Sequence, residues 1–420
     1  MRVPSFIACC FVIACATASS TAAQAATPST PDPAALAPVG VAPGNWSFAG
    51  VPRLTLNSDE GIGLGVRGIL FWHRHGQRPY KTAISFQAWA TTRLVQHHFV
   101  RVDAIDAFQL PVRIESEAGF FSTLTMPFCG DPPATGVVGR ECVDSDLTRL
   151  RSLEPYGLLN TRWRLWRQPF FKDTLKFEAF VGWRGTQYIP GTLFDDDKDG
   201  SPDLFPYPGS RYAAAFPGGE PGFASVLQAG LAIDTRDEEP NPSRGFFIDA
   251  SVRGANALWG SAFDFGGANF TARLYAPVVP SRTVVVAERL IVDGVFGDAP
   301  WRERVRLGGL TETAGIGGLD VGRGIRLARY PGRLRLSLQH ELRVTPLTLD
   351  VFGNSLALPV AFFLDTGAAV FANEVPRLLV GGGISFRVVW NRTFVMRLDL
   401  ALSPEEPGRL STYSSPNNPW

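Results

Sequence analysis

Residues 332–343 read Gly-Arg-Leu-Arg-Leu-Ser-Leu-Gln-His-Glu-Leu-Arg, and this alternation constrains the fold more than any other stretch of the chain. Successive side chains of a strand point to opposite faces. Leu334, Leu336, Leu338 and Leu342 therefore share one face, with His340 as the exception among them. Arg333, Arg335, Ser337, Gln339, Glu341 and Arg343 share the other. A soluble sheet would turn the leucines into a core and the charges into water. A transmembrane β-barrel does the inverse, with leucines on lipid and charges on a wet lumen. Alternation alone does not separate a lipid-facing row from a core-facing one. A large β-sandwich or propeller therefore stays open on this ground, and other parts of the chain must decide.

The N-terminus favours the membrane. Arg2, an apolar run from Phe6 to Ala16 and Ala23-Gln24-Ala25 have the form of a secretion signal cleaved after Ala25. Val12-Ile13-Ala14-Cys15 also resembles a lipoprotein signal, which would place a lipid on Cys15. Residues 1–25 are thus expected to be a signal peptide. Residues 26–47, rich in Pro, Ala and Thr without hydrophobic period, are expected to be a periplasmic linker. Apolar content of 45%, charged content of 19% and a net charge of +1 argue against a polyanion-binding or disordered protein, so no nucleic-acid partner is expected. Beyond the signal no segment approaches the ~18 uncharged apolar residues of a helical span.

Everything from residue 48 to 420 reads as strand and turn. Alternation and turn residues predict strands at 48–56, 62–73, 80–92, 97–107, 111–123, 156–167, 174–185, 223–234, 246–256, 265–276, 282–293, 332–343, 357–369, 377–390, 393–403 and 409–420. The fold class is therefore all-β: a sixteen-stranded antiparallel transmembrane barrel, with the even strand number of single-chain bacterial barrels. If the first strand rises from the periplasm, the long connections 124–155, 186–222 and 294–331 become the third, fourth and sixth outer loops. The inner turns 74–79, 108–110, 168–173 and 277–281 are short, which is the usual asymmetry. Two places fit poorly. The inner connection near 344–356 is long, and in strand 282–293 no register hides both Glu288 and Arg289.

Three segments, in order, resemble the C-terminal barrel of the BamA/TamA family, the bacterial surface antigen family. Asp234-Thr235-Arg236-Asp237 followed by Pro242-Ser243-Arg244-Gly245 is similar to its strand–turn–strand signature. Leu307-Gly308-Gly309 followed by Gly322-Arg323-Gly324-Ile325-Arg326 resembles its sixth outer loop, whose Arg-Gly core folds back into the lumen. Glu341-Leu342-Arg343 and Phe363-Leu364-Asp365-Thr366-Gly367 resemble the acidic partners on the twelfth and thirteenth strands. The chain departs from that pattern at Gly322, where an apolar residue is usual, and at Ile325, where an aromatic is usual. Residues 26–47 are too few for a POTRA module, so the resemblance is to a barrel-only member. It implies that Arg323 and Gly324 form a loop latch with Glu341 and Asp365, and that Asp234, Arg236, Asp237 and Gly245 form the turn motif. It also implies partners: outer-membrane lipid and a client outer-membrane or secreted protein.

The remaining chemistry is sparse. After signal cleavage only Cys129 and Cys142 remain, and an isolated pair in an exported protein is expected to form a disulfide, here in an outer loop. Asp195, Asp197, Asp199, Gly200 and Asp203 have the alternate oxygen ligands and sixth-position glycine of a Ca²⁺ loop. Pro206 stands where a twelfth-position acid would complete it, so the alternative is a solvated acidic loop. No other cofactor is expected. His73 and His75 border a turn, His97 and His98 point to opposite faces, and no nucleophile–base set can be assembled, so no enzyme is expected. Two functions follow. One is an integral outer-membrane barrel that aids insertion or translocation of protein or lipid. The alternative is a passive pore or surface-structural barrel without assembly activity. The sequence does not indicate an oligomeric state.

Overall fold

The computed structural model describes residues 46–73, 80–130, 148–170, 173–193, 201–204, 206–239, 241–351, 354–370, 378–390 and 394–415. The expected signal peptide lies outside them, as does all but the last two residues of the expected linker. The strands are β1 Trp46–Asn57, β2 Gly61–Trp72, β3 Thr82–Thr91, β4 Gln96–Ala104, β5 Val112–Pro127 and β6 Arg149–Phe170. They continue as β7 Asp173–Tyr188, β8 Gly222–Asp234, β9 Gly245–Ala255, β10 Phe265–Pro277, β11 Val284–Gly297 and β12 Leu334–Val344. Last come β13 Thr348–Val351, β14 Asn354–Ala357, β15 Val360–Val370, β16 Leu379–Trp390, β17 Phe394–Leu402 and β18 Ser411–Ser415.

Each strand pairs antiparallel with the next around the wall, and β18 returns to β1. The small hairpin β13–β14 is set off from this sequence, because β12 pairs directly with β15. Of eighteen strands, sixteen therefore make a closed wall. Closure matters because lipid cannot hydrogen-bond a free strand edge. The expected sixteen-stranded antiparallel barrel is the fold, and all sixteen predicted strands correspond to wall strands. The long inner connection is explained by the β13–β14 hairpin, whose end also touches β16 through Leu356↔Trp390.

The alternation runs in the barrel sense. Along β12, Arg335, Gln339 and Glu341 are buried in the interior while Leu336, Leu338 and Leu342 are exposed on the outside. Neighbouring Phe362 and Leu364 continue that outer surface on β15. Arg289 and Glu288 both find a place: Arg289 turns inward, and Glu288 faces out opposite His340, whose ring Nδ1 its carboxylate contacts. A charge on the outer face is tolerated here because its cross-strand neighbour is the one polar residue of the leucine row. No single strand contains that information.

The loops differ from expectation mainly at β6. It begins at Arg149, not near 156, and Leu150 to Glu154 are buried without alternation. Loop residues cover both faces of that segment, Arg302 of the sixth connection reaching Glu154 at 2.6 Å and the Tyr207 ring of the fourth lying 3.9 Å from Arg151, so its sequence carries no period of two. The third, fourth and sixth outer connections shrink accordingly to 128–148, 189–221 and 298–333.

The inside-out reading has a direct energetic consequence. Leu338→Arg, in the middle of the outer row, should cost about 2–4 kcal/mol, the penalty for a cation at the bilayer midplane. Urea unfolding of the reconstituted barrel measures it, and a neutral result would mean that the leucine row does not meet lipid.

Candidate functional site

Loop 298–333 folds into the barrel. One stretch of contact with the wall is Leu307–Leu310. Asp293 of β11 accepts from the Gly308 N–H at 2.8 Å, Asp249 of β9 accepts from the Leu310 N–H at 2.9 Å, and the Gln228 amide of β8 donates to the Gly309 carbonyl at 2.8 Å. Asp293 is itself held by Arg253 at 2.9 Å and by Arg335. Polar wall residues thus replace water for the loop backbone, as a buried backbone requires. Leu307, Ile316, Val321, Ile325 and Tyr330 then make an apolar core of the loop against Ile291 and Leu379 of the wall. Ile325 fills this core where the resemblance would put an aromatic.

Arg323 is the deepest anchor and is fully buried. Its Nε donates to Asp365 Oδ2 and its Nη2 to Asp365 Oδ1, both at 2.9 Å, a bidentate pairing. Nη1 donates to Glu341 Oε1 at 2.7 Å, and the backbone N–H also reaches Asp365 Oδ2 at 2.9 Å. The guanidinium lies 3.6 Å from the ring centre of Phe363, so carboxylates grip its edge and an aromatic face covers its plane. Glu341 also accepts from Arg343 at 2.8 Å and Arg387 at 2.7 Å. Asp399 accepts from Arg397 at 2.6 Å, and Arg397 donates back to the Leu319 carbonyl at 2.9 Å. The wall and loop therefore share one network in which guanidinium groups and carboxylates alternate. Gly381 makes it fit: a Cβ there would stand 1.9 Å from the Arg323 carbonyl.

A second anchor lies nearer the mouth. The helical turn α1, Trp301–Val305, buries Glu303, which accepts from Arg184 at 2.9 Å and from Tyr188 at 2.5 Å. Burial alone would raise the Glu303 carboxyl, but the Arg184 and Arg306 charges outweigh it and hold the group well below the usual carboxylate range. Beside it Trp301 packs on Phe128 of the third loop at 5.3 Å, and Phe128 on Tyr212 of the fourth at 5.2 Å. The three long outer loops meet here in one apolar cap. At the other end of the loop, Arg326 and Arg329 reach Glu406 at 3.1 and 2.6 Å, and Tyr330 reaches Glu405 at 2.6 Å.

Among the expected site residues, the structure brings Arg323, Glu341 and Asp365 into direct contact. Gly324 follows in the same turn, its carbonyl accepting from Ser411 at 3.3 Å. Asp234, Arg236, Asp237 and Gly245 form a separate lock at the inner turn between β8 and β9. Arg236 pairs with Asp234 at 3.0 Å, Asp237 accepts from the Ser243 N–H at 2.9 Å, and Gly245 takes a φ of 96° that a side chain would strain. Cys129 is disulfide-bonded, while Cys142 lies outside the described residues. Asp195, Asp197 and Asp199 also lie outside them. Asp203 is buried with a carboxylate oxygen 3.6 Å from Arg151.

Sequence reasoning missed Phe363, Arg387 and Asp399 as parts of the Arg323 network. It also missed Glu303, Glu405 and Glu406. These lie in loops, where no period marks the inward side.

The fold can now be compared with known proteins. No family model and no curated protein sequence matches the chain. Among solved structures, BamA from Haemophilus ducreyi lacking POTRA domains 1–3 is similar over 88% of this chain and 69% of that one, at TM-score 0.51 and 9% identity. CdiB from Escherichia coli matches 88% of this chain and 62% of its own at TM-score 0.57 and 12% identity. CdiB from Acinetobacter baumannii matches 88% and 59% at TM-score 0.50 and 11% identity. The chain has the fold of these barrels and spans about three fifths of each CdiB chain.

Two outcomes test the anchors. Arg323→Ala leaves Asp365 without its counter-ion and should cost about 3–5 kcal/mol of loop docking; protease cleavage within 298–333 reads this, and unchanged protection would contradict it. Glu303 has a depressed folded pKa, so its contribution is present above the ordinary carboxylate range, ~4.3, and is lost only as pH falls through the lower folded value. The loop should therefore resist pepsin at pH 4 in the wild type and be cut in Glu303→Gln; equal cutting of both would remove Glu303 as an anchor.

Proposed function

We propose that the chain is an integral outer-membrane barrel that aids insertion or translocation of a protein or lipid client, with loop 298–333 as its internal plug and the β1–β18 junction as its lateral gate. The observation that carries this reading is the weakness of that junction. β1 and β2 are in register from Trp46↔Trp72 to Asn57↔Gly61. Among the described residues, β18 registers with β1 at Asn57↔Tyr413 alone. Beside it the Ser58 N–H donates to the Thr412 carbonyl at 2.9 Å, and the other contacts use side-chain hydroxyls: Ser414 Oγ accepts from the Leu56 N–H at 2.7 Å, and Ser58 Oγ from the Thr412 N–H at 2.7 Å. Pro416 and Pro419 follow in sequence and have no N–H to give to a ladder.

A plugged lumen argues against the passive-pore alternative, because a free pore has no use for a loop fixed at both ends of its path. Outer-membrane lipid is the proposed surroundings, given the apolar outer rows, and the client is the partner that the family resemblance implies. The Arg323 contacts are proposed to act as the latch that keeps the plug seated while the seam opens and closes.

The test uses reconstituted protein with cysteines at positions 56 and 414. Wild-type protein should accelerate folding of a client barrel into vesicles or move labelled lipid between leaflets. Oxidised Leu56→Cys/Ser414→Cys should lose that activity and regain it on reduction. Neither activity in the wild type would end the assembly reading, and full activity in the oxidised form would end the lateral gate.

A further inference from the structure

The lumen holds a second group of cations whose situation is the reverse of that of Arg323. Arg53 of β1 and Arg67 of β2 are 3% and 2% exposed. Arg53 pairs with Gly65, so Arg67 stands two residues further along the neighbouring strand on the same inner face. Such diagonal neighbours lie about 7–8 Å apart. Nε and Nη1 of Arg53 and all three side-chain nitrogens of Arg67 are buried without a hydrogen-bond partner. Each lies beside an aromatic ring: Arg53 is 4.3 Å from the Trp89 ring centre and Arg67 is 5.5 Å from that of Phe99.

The nearby carboxylates are committed elsewhere. Glu117 accepts from Arg101 Nε at 2.6 Å and from Tyr156 at 2.5 Å. Glu154 is taken by Arg302 and Ser152, each at 2.6 Å. Glu60 accepts from the Asn57 amide at 2.7 Å, and burial with the adjacent Asp59 pushes its carboxyl up to about 7, so near neutrality it offers Arg53 only a partial counter-charge. A buried guanidinium without an anion is costly. Both arginines line a cavity of about 260 Å³, together with Trp89, His97 and Phe99. That is several times the ~30 Å³ share of one water molecule in the liquid.

We propose that Arg53 and Arg67 form a binding site for a phosphate monoester inside the barrel. Two buried cations with no hydrogen-bonded counter-ion match the charge of about −1.5 to −2 that such a group carries at pH 7, whereas one carboxylate would neutralise only half of them. The guanidinium fork takes phosphate oxygens in bidentate fashion. Trp89 and Phe99 supply an apolar wall for the alcohol part of the ester. The phosphate has two possible sources: a soluble phosphate monoester reaching the lumen, or a lipid that ends in a phosphate monoester, as phosphatidic acid does, entering beside β1.

Calorimetric titration of the full-length protein in detergent tests the site, with inorganic phosphate, glycerol 3-phosphate and dihexanoyl phosphatidic acid as probes. Melting is followed in parallel by circular dichroism. At least one probe should bind the wild type and raise its melting temperature by mass action. Arg53→Gln/Arg67→Gln should weaken binding by about a hundredfold, as expected for two charged donors lost, and Arg53→Lys/Arg67→Lys should keep part of it. Because the arginines have no protein hydrogen-bond partner, the ligand-free glutamine variant should melt no lower than the wild type. Tighter binding of phosphatidic acid than of both soluble probes identifies a lipid source, and equal binding identifies a soluble one; either supports the site. Failure of all three probes to bind, or unchanged affinity in the glutamine variant, overturns it. So does a glutamine variant that melts lower while no probe shifts the wild type.

Discussion

A guanidinium taken fully out of water has to be met by carboxylates, and in this barrel that requirement ties a loop to the wall. Arg323 comes from the sixth outer loop, Asp365 from β15 and Glu341 from β12, yet they form one hydrogen-bonded unit. Glu341 in turn needs Arg343 and Arg387, and Asp399 needs Arg397. Removing one member leaves another charge stranded, so the network favours one loop position strongly over all others. The apolar core of the loop and its aromatic cap then assemble on a backbone whose depth is already set.

The wall obeys a different constraint. In lipid every strand edge must be paired, so the barrel closes on itself. Most neighbouring strands meet this with continuous registers, but among the described residues the β1–β18 junction adds only two hydroxyl contacts to the Asn57↔Tyr413 pair and one Ser58–Thr412 backbone bond. A barrel with a firmly held plug and a thinly bonded seam has its resistance to opening distributed unevenly. Local opening is expected where hydrogen bonding is sparse, and among the described residues the β1–β18 junction is such a place; the proposed gate rests on it.

The sequence showed the wall more clearly than its contents. Strand parity on β12 placed Glu341 on the lumen side and Leu338 on the lipid side, because a period of two repeats for as long as the two faces meet different media. The same logic failed at Leu150–Glu154, where both faces are covered by loops. It also could not settle Glu288 and Arg289, since the answer lay on the neighbouring strand in His340. The Arg323 contacts were legible only through a family resemblance, because nothing local in Gly322-Arg323-Gly324 says which carboxylates it will meet. Glu303 carried no signal at all: its partners Arg184 and Tyr188 lie more than a hundred residues away in sequence.

Loop 298–333 occupies the lumen, and the Arg323 contacts hold it to the wall there. Single-channel recording in planar bilayers tests this most directly, with wild type and Arg323→Ala compared in the same lipid and salt. The wild-type barrel should be closed for most of the record, and the variant should show larger and more frequent openings. A wide, steady conductance in the wild type that Arg323→Ala leaves unchanged would contradict it.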